Sequence, residues 1–258
     1  MNYGDKGIKQ KKKLLNSATT KLGTKLGIFF IKLALVGIIA LVVAGSCLVF
    51  GSFQGIIENA PDIASINVSP EGFATKIYDS DENEIQTLSS AGANRTYVTL
   101  DQIPKDLQHA FIAIEDERFY EHNGIDMRGI LRAASITLSS GEMSQGASTI
   151  TQQLLKNNVF NAFNESTIEK IKRKVQEQYL AIKLETVMSK DAILENYLNT
   201  INLGNGYYGV QSAARGYFNK DVSELSISEC AVIASITKSP TGLNPIRHAD
   251  RNKDRQSQ

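Results

Sequence analysis

From Leu33 to Phe50 the chain runs through eighteen residues without a charge, almost all Leu, Val, Ile, Ala or Gly. With Gly27 to Ile31 just upstream, this stretch exceeds the roughly 20 apolar residues that a helix needs to cross a bilayer. No soluble core of this size absorbs such a segment easily, so a transmembrane helix over 27–50 is expected. Lys32 lies near its entry end and can snorkel to the headgroups. Seven lysines (6, 9, 11, 12, 13, 21 and 25) against Asp5 give residues 1–25 a charge of +6, and the whole chain is only +1. A basic tail of this kind suits nucleic acid or a membrane surface, and the apolar run beside it favours the membrane. The lysines place the N-terminus in the cytoplasm and everything beyond Gly51 outside. A cleaved signal peptide is the competing reading, but both its basic and its apolar regions would be unusually long.

Beyond the anchor, 51–72 reads as a linker containing Pro61 and Pro70. Ala74–Tyr78 and Glu84–Leu88 flank an Asp-Ser-Asp-Glu-Asn turn and predict a β-hairpin, with Tyr97–Leu100 a candidate third strand. From Pro104 the periodicity is helical. Helices are expected over 104–115, 126–138, 148–158, 166–187, 190–201, 209–217 and 226–238. Ser189 is expected as an N-cap, and 139–145 as a polar, mobile loop. Cys47 and Cys230 are too far apart in character to predict a disulfide, and neither has companions for zinc. The Asn-X-Ser/Thr triplets at Asn67, Asn94 and Asn164 are too short to carry weight.

Three clusters carry chemistry. Glu115 to Asp126 crowds five acids, Arg118 and His122 at a helix end and the turn after it. Acids there face the negative pole of the helix dipole, a placement that favours function over stability. A carboxylate so held can accept a proton from a hydroxyl. His122 is either a proton shuttle or, more simply, a brace for that turn. The run from Gly146 to Asn157 packs Ser148, Thr149, Thr151, Gln152 and Gln153 ahead of Lys156, a donor-rich patch suited to an oxyanion such as a diphosphate. On the helix from 166, Lys170, Arg173 and Glu177 share one face, a cationic wall with one carboxylate set into it, or an ordinary solvated face. Two motif matches count for little. Ser235-Ile-Thr-Lys238 spells Ser-x-x-Lys without the partner motifs of a penicillin-binding transpeptidase. Gly204-Asn-Gly206-Tyr-Tyr-Gly209 spells a dinucleotide fingerprint but follows a helical pattern rather than a strand.

Taken together these residues resemble the peptidoglycan glycosyltransferases, the polymerase modules of class A penicillin-binding proteins and monofunctional transglycosylases. The resemblance rests on Glu115-Asp116-x-x-Phe119-x-x-His122-x-Gly124-x-Asp126, on Gly146-x-Ser-Thr-Ile-Thr-Gln-Gln153, and on Arg173-Lys174-x-x-Glu177 with Ala181 and Leu184-Glu185. Further matches are Ile193-Leu-Glu195-x-Tyr197-Leu-Asn199 with Gly204, Gly209, Ala213-Ala214 and Tyr217-Phe218, and the stretch from Leu225 through Glu229 to Pro240 and Asn244-Pro245. Five ordered motifs are far more specific than any one. The resemblance implies a mainly α, lysozyme-like two-lobed domain over 73–250 with a small β-hairpin. One N-terminal transmembrane helix precedes it, and 251–258 is a truncated C-terminal extension.

It further implies that lipid II is polymerised into glycan strands by inverting transfer from a polyprenyl diphosphate donor, with the growing strand on undecaprenyl diphosphate. By that likeness Glu115 is the general base. Glu177 orients the leaving diphosphate, with a divalent metal (Mg or Mn) on Glu177 as an accessory. Asp116, Phe119, His122, Gly146, Ser148, Thr149, Gln152, Gln153, Lys156, Lys170, Arg173 and Lys174 contact substrate. The partners implied are the membrane and a transpeptidase in cis or in trans, with no nucleic acid. One departure stands out: the family commonly has an Arg where this chain has Glu169, which makes Lys170 the substitute phosphate contact. The connection over 158–167 also looks long. A lysozyme-like hydrolase or lytic transglycosylase, and an inactive membrane scaffold, are the alternatives.

Overall fold

The computed structural model describes residues 4–70, 72, 75–82, 84–88, 95–140, 146–160 and 165–257. Of the loop expected over 139–145, residues 139–140 are helical and 141–145 lie outside the described residues, as do 161–164 of the connection 158–167, and Ala74, Asn94 and Asn164. The chain divides into two compact units, Met1–Glu58 and Asn59–Gln258.

The first unit is two helices, α1 (Asp5–Leu15) and α2 (Ala18–Glu58). Asp5 in the first turn of α1 and Lys12 and Lys13 in the last complement its dipole. Helix α2 has 41 residues, a length of about 60 Å, twice a bilayer's hydrocarbon core. It is the one helix among the described residues long and apolar enough to cross a membrane. The hydroxyls of Ser46 and Ser52 fold back onto the carbonyls of Val42 and Leu48, so neither is left unpaired in an apolar surround. The helix continues eight residues past Phe50, into the segment expected as linker, because no proline interrupts it before Pro61.

The second unit opens with a 3₁₀ turn, Ile63–Ser65, capped by Asp62. Strands β1 (Thr75–Tyr78) and β2 (Glu84–Leu88) pair antiparallel, Thr75 opposite Leu88, with a bulge between Ile77 and Tyr78. Tyr97–Leu100 is not a third strand. The N–H of Val98 donates to the Asn199 side-chain carbonyl (2.9 Å) and the Asn199 amide donates back to the Val98 carbonyl (2.8 Å). Glu195 accepts from Leu100 N–H (2.6 Å) and the Tyr97 hydroxyl (2.5 Å). The backbone groups that a strand partner would use are thus taken by two side chains of one helix.

Seven helices follow in the order anticipated: α3 (Lys105–Glu115), α4 (Met127–Ser140), α5 (Ile150–Asn158), α6 (Thr167–Val187), α7 (Lys190–Thr200), α8 (Val210–Phe218) and α9 (Ile227–Ser235). Polar caps fix their starts: Thr149 for α5, Ser166 with Glu169 for α6, Ser189 for α7 and Ser226 with Glu229 for α9. Helix α5 packs on α6 and α7, and α3 on α9. Leu107, Phe111, Leu154, Leu155, Leu180, Ile193, Leu194, Tyr197 and Ile233 form the shared core. Helix α9 stops three residues before the expected end at 238. The Ser235 hydroxyl caps the Ala231 carbonyl (2.6 Å), and the backbone tightens to i→i+3 bonds ahead of Pro240. The residues read as an extension contribute an eighth helix to this unit, α10 (Ala249–Gln256), packed on α9. Asn252, 1 % exposed, anchors it by donating to the Leu243 carbonyl (2.8 Å).

The glycines of Gly204-Asn-Gly206-Tyr-Tyr-Gly209 follow α7 and serve a tight turn, each with φ near +80°. A Cβ on Gly204 would lie 2.6 Å from the Pro240 carbonyl oxygen, so close packing requires this glycine, and the helix before the run is not the strand a dinucleotide fingerprint follows. Gly124 is more constrained still, with φ of +84° and a Cβ position 2.5 Å from the Ala181 backbone in α6. Gly124→Ala is therefore expected to destabilise the protein by about 2 kcal/mol, read as a lower urea midpoint.

Candidate active site

The last residue of α3 meets three other elements. Glu115 accepts from Gln153 Nε2 of α5 through Oε2 (2.8 Å) and from the Thr237 hydroxyl, on the turn after α9, through Oε1. Gln153 in turn accepts from the Tyr197 hydroxyl of α7 (3.2 Å). Burial first, and then the charges of Glu115 and Asp116, push the Tyr197 phenol well above its ordinary range, so it stays a donor.

The turn after α3 is braced separately. Asp116, 6 % exposed, lies 3.0 Å from His122 Nε2 and accepts the Ile150 N–H (2.9 Å). That anion sits on the first turn of α5, where the helix dipole favours it. Arg118 forks onto Asp126 (2.6 and 3.3 Å), and its guanidinium holds the Asp126 carboxyl down at about 2, helped by the Gly129 N–H. Thr149 caps α5 and also donates to the Gly124 carbonyl (2.8 Å). Phe119 is fully buried, with Lys190 Nζ 4.4 Å above its ring. Asp116, Phe119, His122 and Thr149, expected on the substrate, brace the turn that carries Glu115, and Asp116 and Thr149 also line a cavity beside Glu115.

Glu115 lines a cleft of about 530 Å³. Its walls include Gly146, Ser148, Gln152, Gln153 and Lys156, all singled out in the sequence. Arg132, Lys174, Lys238 and Arg255 add positive charge. Of these cations only Lys156 and Lys174 were legible from the motifs. Arg132, Thr237, Lys238 and Arg255 were missed because they stand on a half-exposed helix, a helix-ending turn and a short polar helix.

Glu177 does not face the cleft as an open carboxylate. It is fully buried, with one oxygen on Arg173 and the other 2.7 Å from Lys174 Nζ as an ion pair. Arg173 is itself held by Glu165 (2.8 and 2.9 Å), whose guanidinium contact keeps the Glu165 carboxyl below its usual range. Lys174 also donates to Ser148 (3.1 Å), so Glu177 reaches the cleft through Lys174. Lys170 is exposed, beside Glu165, and Glu169 accepts the Ser166 N–H (2.7 Å) to cap its own helix. A divalent metal does not fit at Glu177. Both of its oxygens face cations, and among the described residues no three His, Cys, Asp or Glu side chains converge on a metal position.

A carboxylate with two fixed donors, set in a cationic slot on a mainly helical domain, suits group transfer with an anionic leaving group. The family described as Transglycosylase matches residues 81–258, and the chain belongs to that family. It is 43 % identical over 222 residues to penicillin-binding protein 1A of Escherichia coli (strain K12), covering 86 % of this chain and 25 % of that one. It is 44 % identical over 182 residues to penicillin-binding protein 1F of Bacillus subtilis (strain 168), covering 70 % and 24 %. The chain thus spans about a quarter of the length of these curated relatives. A crystal structure of penicillin-binding protein 1A from Haemophilus influenzae aligns over 71 % of this chain and 17 % of its own at 24 % identity and a TM-score of 0.34.

Proposed function

We propose that this chain is a membrane-anchored peptidoglycan glycosyltransferase that polymerises lipid II. The observation that carries the reading is Glu115 on the wall of a cleft lined by Arg132, Lys156, Lys174 and Lys238. A sugar hydroxyl is a poor nucleophile until a base takes its proton, and Glu115 keeps acceptor sites beyond the two used by Gln153 and Thr237. The proton passes from the acceptor hydroxyl to a Glu115 oxygen as the hydroxyl oxygen attacks the donor's anomeric carbon. The bond to the diphosphate breaks, and its electrons leave with the diphosphate. Lys156, Lys174 and Arg132 neutralise that departing charge, Lys174 being held by Glu177 and Ser148. The donor is α-linked and displacement is direct, so the new linkage is β. No step in this scheme runs through a metal.

A glycoside hydrolase needs a carboxylate but has no diphosphate leaving group for a cationic slot to neutralise. Incubating the full chain separately with purified glycan strands and with lipid II decides between them. Growth from lipid II with the strands left intact supports the transferase, and shortened strands without growth support the hydrolase. A folded protein inactive on both substrates would be a scaffold.

The positive-inside rule argues for α1 in the cytoplasm and the second unit outside, with α2 as its tether to the surface that carries the substrate. A transpeptidase acting in cis or in trans would consume the strands. Helix α4 offers a lipid contact. Met127, Leu131 and Leu138 form one exposed stripe, while Ile130 is turned partly inward. Leu131→Ser with Leu138→Ser, added to removal of residues 1–50, is expected to lower liposome binding at least several-fold below the truncation alone, measured by flotation. Equal flotation of the two forms would contradict a lipid contact at α4.

A further inference from the structure

We infer that Thr237 is a positioning residue for Glu115, paired with a second arm in which the buried Tyr197 acts through Gln153. This rests on the reading of Glu115 as the base. A carboxylate that must take a proton from one direction needs its remaining lone pairs tied down. Here the two ties come from elements far apart in sequence. Thr237 donates to Oε1 from the turn after α9, and Gln153 donates to Oε2 from α5. Neither contact is local to α3, so the carboxylate is fixed by the packing of the domain rather than by its own helix.

Each arm has its own lock. The Thr237 hydroxyl has a competing acceptor in the Ala234 carbonyl, 3.0 Å away, and one proton to give. Its β-branched side chain leaves few rotamers to sample. The single hydroxyl proton goes to the charged acceptor, so Thr237 has none left to offer a substrate. The Gln153 amide could turn either end to Glu115. The Tyr197 O–H on Gln153 Oε1 selects the orientation that presents Nε2. Tyr197 is fully buried, and Phe111 packs edge-on against its ring (6.1 Å between centroids), so this hydroxyl has little freedom. Losing either lock leaves the cleft's cations in place and lets the carboxylate rotate, which lowers turnover without weakening substrate binding.

The test measures kcat and KM for lipid II with the full chain in detergent. Thr237→Val keeps the shape and removes the donor, and is expected to lower kcat about tenfold with KM within about twofold of the wild type. Thr237→Ser restores the hydroxyl and is expected to recover most of kcat. Tyr197→Phe is expected to lower kcat about threefold, and it carries the test should circular dichroism show Thr237→Val unfolded. In a Glu115→Gln background, Thr237→Val should cost nothing further, because the group it positions is gone. Wild-type kcat in Thr237→Val beside an inactive Glu115→Gln would overturn the positioning role alone. So would a change confined to KM, a Ser variant as slow as Val, or a full additional loss in the Glu115→Gln background. Wild-type kcat in Glu115→Gln would overturn the base reading, and the positioning role with it.

Discussion

Glu115→Gln is expected to lower the proposed lipid II polymerisation by about 10²–10⁴-fold, the range that a positioned general base contributes. The substitution preserves length and planarity, and the new carboxamide can still accept from Thr237 through its oxygen. Its amino group would meet the Gln153 amide nitrogen, now 2.8 Å from Oε2, so a small stability loss of about 1 kcal/mol accompanies the change. That cost is far too small to unfold a domain of this size. Lipid II binding should persist, because the cations that meet the diphosphate are untouched. Polymer yield on a gel, with binding measured in parallel, checks both halves. A variant that polymerises at the wild-type rate would remove Glu115 from the chemistry.

Arg173→Met is expected to destabilise the protein by about 3 kcal/mol. Arg173 lies between Glu165 and the fully buried Glu177, and the substitution leaves the Glu177 carboxylate with Lys174 alone. Stripping one partner from a buried pair is costly because the other charge has lost its water and gained nothing in exchange. For a domain of this length the thermal midpoint should fall by about 6–12 °C, measured by differential scanning calorimetry. Arg173→Met with Glu177→Leu should recover most of that loss, since an apolar pair can fill the same space. The double variant should nonetheless polymerise poorly, because Lys174 has lost the carboxylate that aims it at Ser148. An unchanged midpoint in Arg173→Met would show that Glu177 needs no neutralisation there.

Much of the helical order was readable because polar caps sit directly ahead of apolar periodicity, as with Thr149 before α5 and Ser189 before α7. The hairpin was readable from its acidic turn. Tyr97–Leu100 looks like a strand because its alternation is genuine, yet its backbone is satisfied by Asn199 and Glu195, nearly a hundred residues away. Local pattern carries no trace of such a partner. Helix α10 was missed because it has no apolar stripe and is held largely by one buried amide, Asn252. Most of the cleft residues lie on the motifs, and Glu115 stands where the first motif puts it. The pairing of Glu177 was also legible, since Arg173 and Lys174 at i−4 and i−3 already announce a neutralised carboxylate. Thr237 could not be found from spacing, since only the early end of α9 brings it to Glu115.

The most direct test follows the atoms of the reaction in the wild-type chain. With anomerically labelled lipid II, one polyprenyl diphosphate should be released for each disaccharide added, and the new glycosidic bond should be β. Retained α configuration, or strand growth without release of the diphosphate, would contradict displacement at a cationic cleft by a hydroxyl that Glu115 deprotonates.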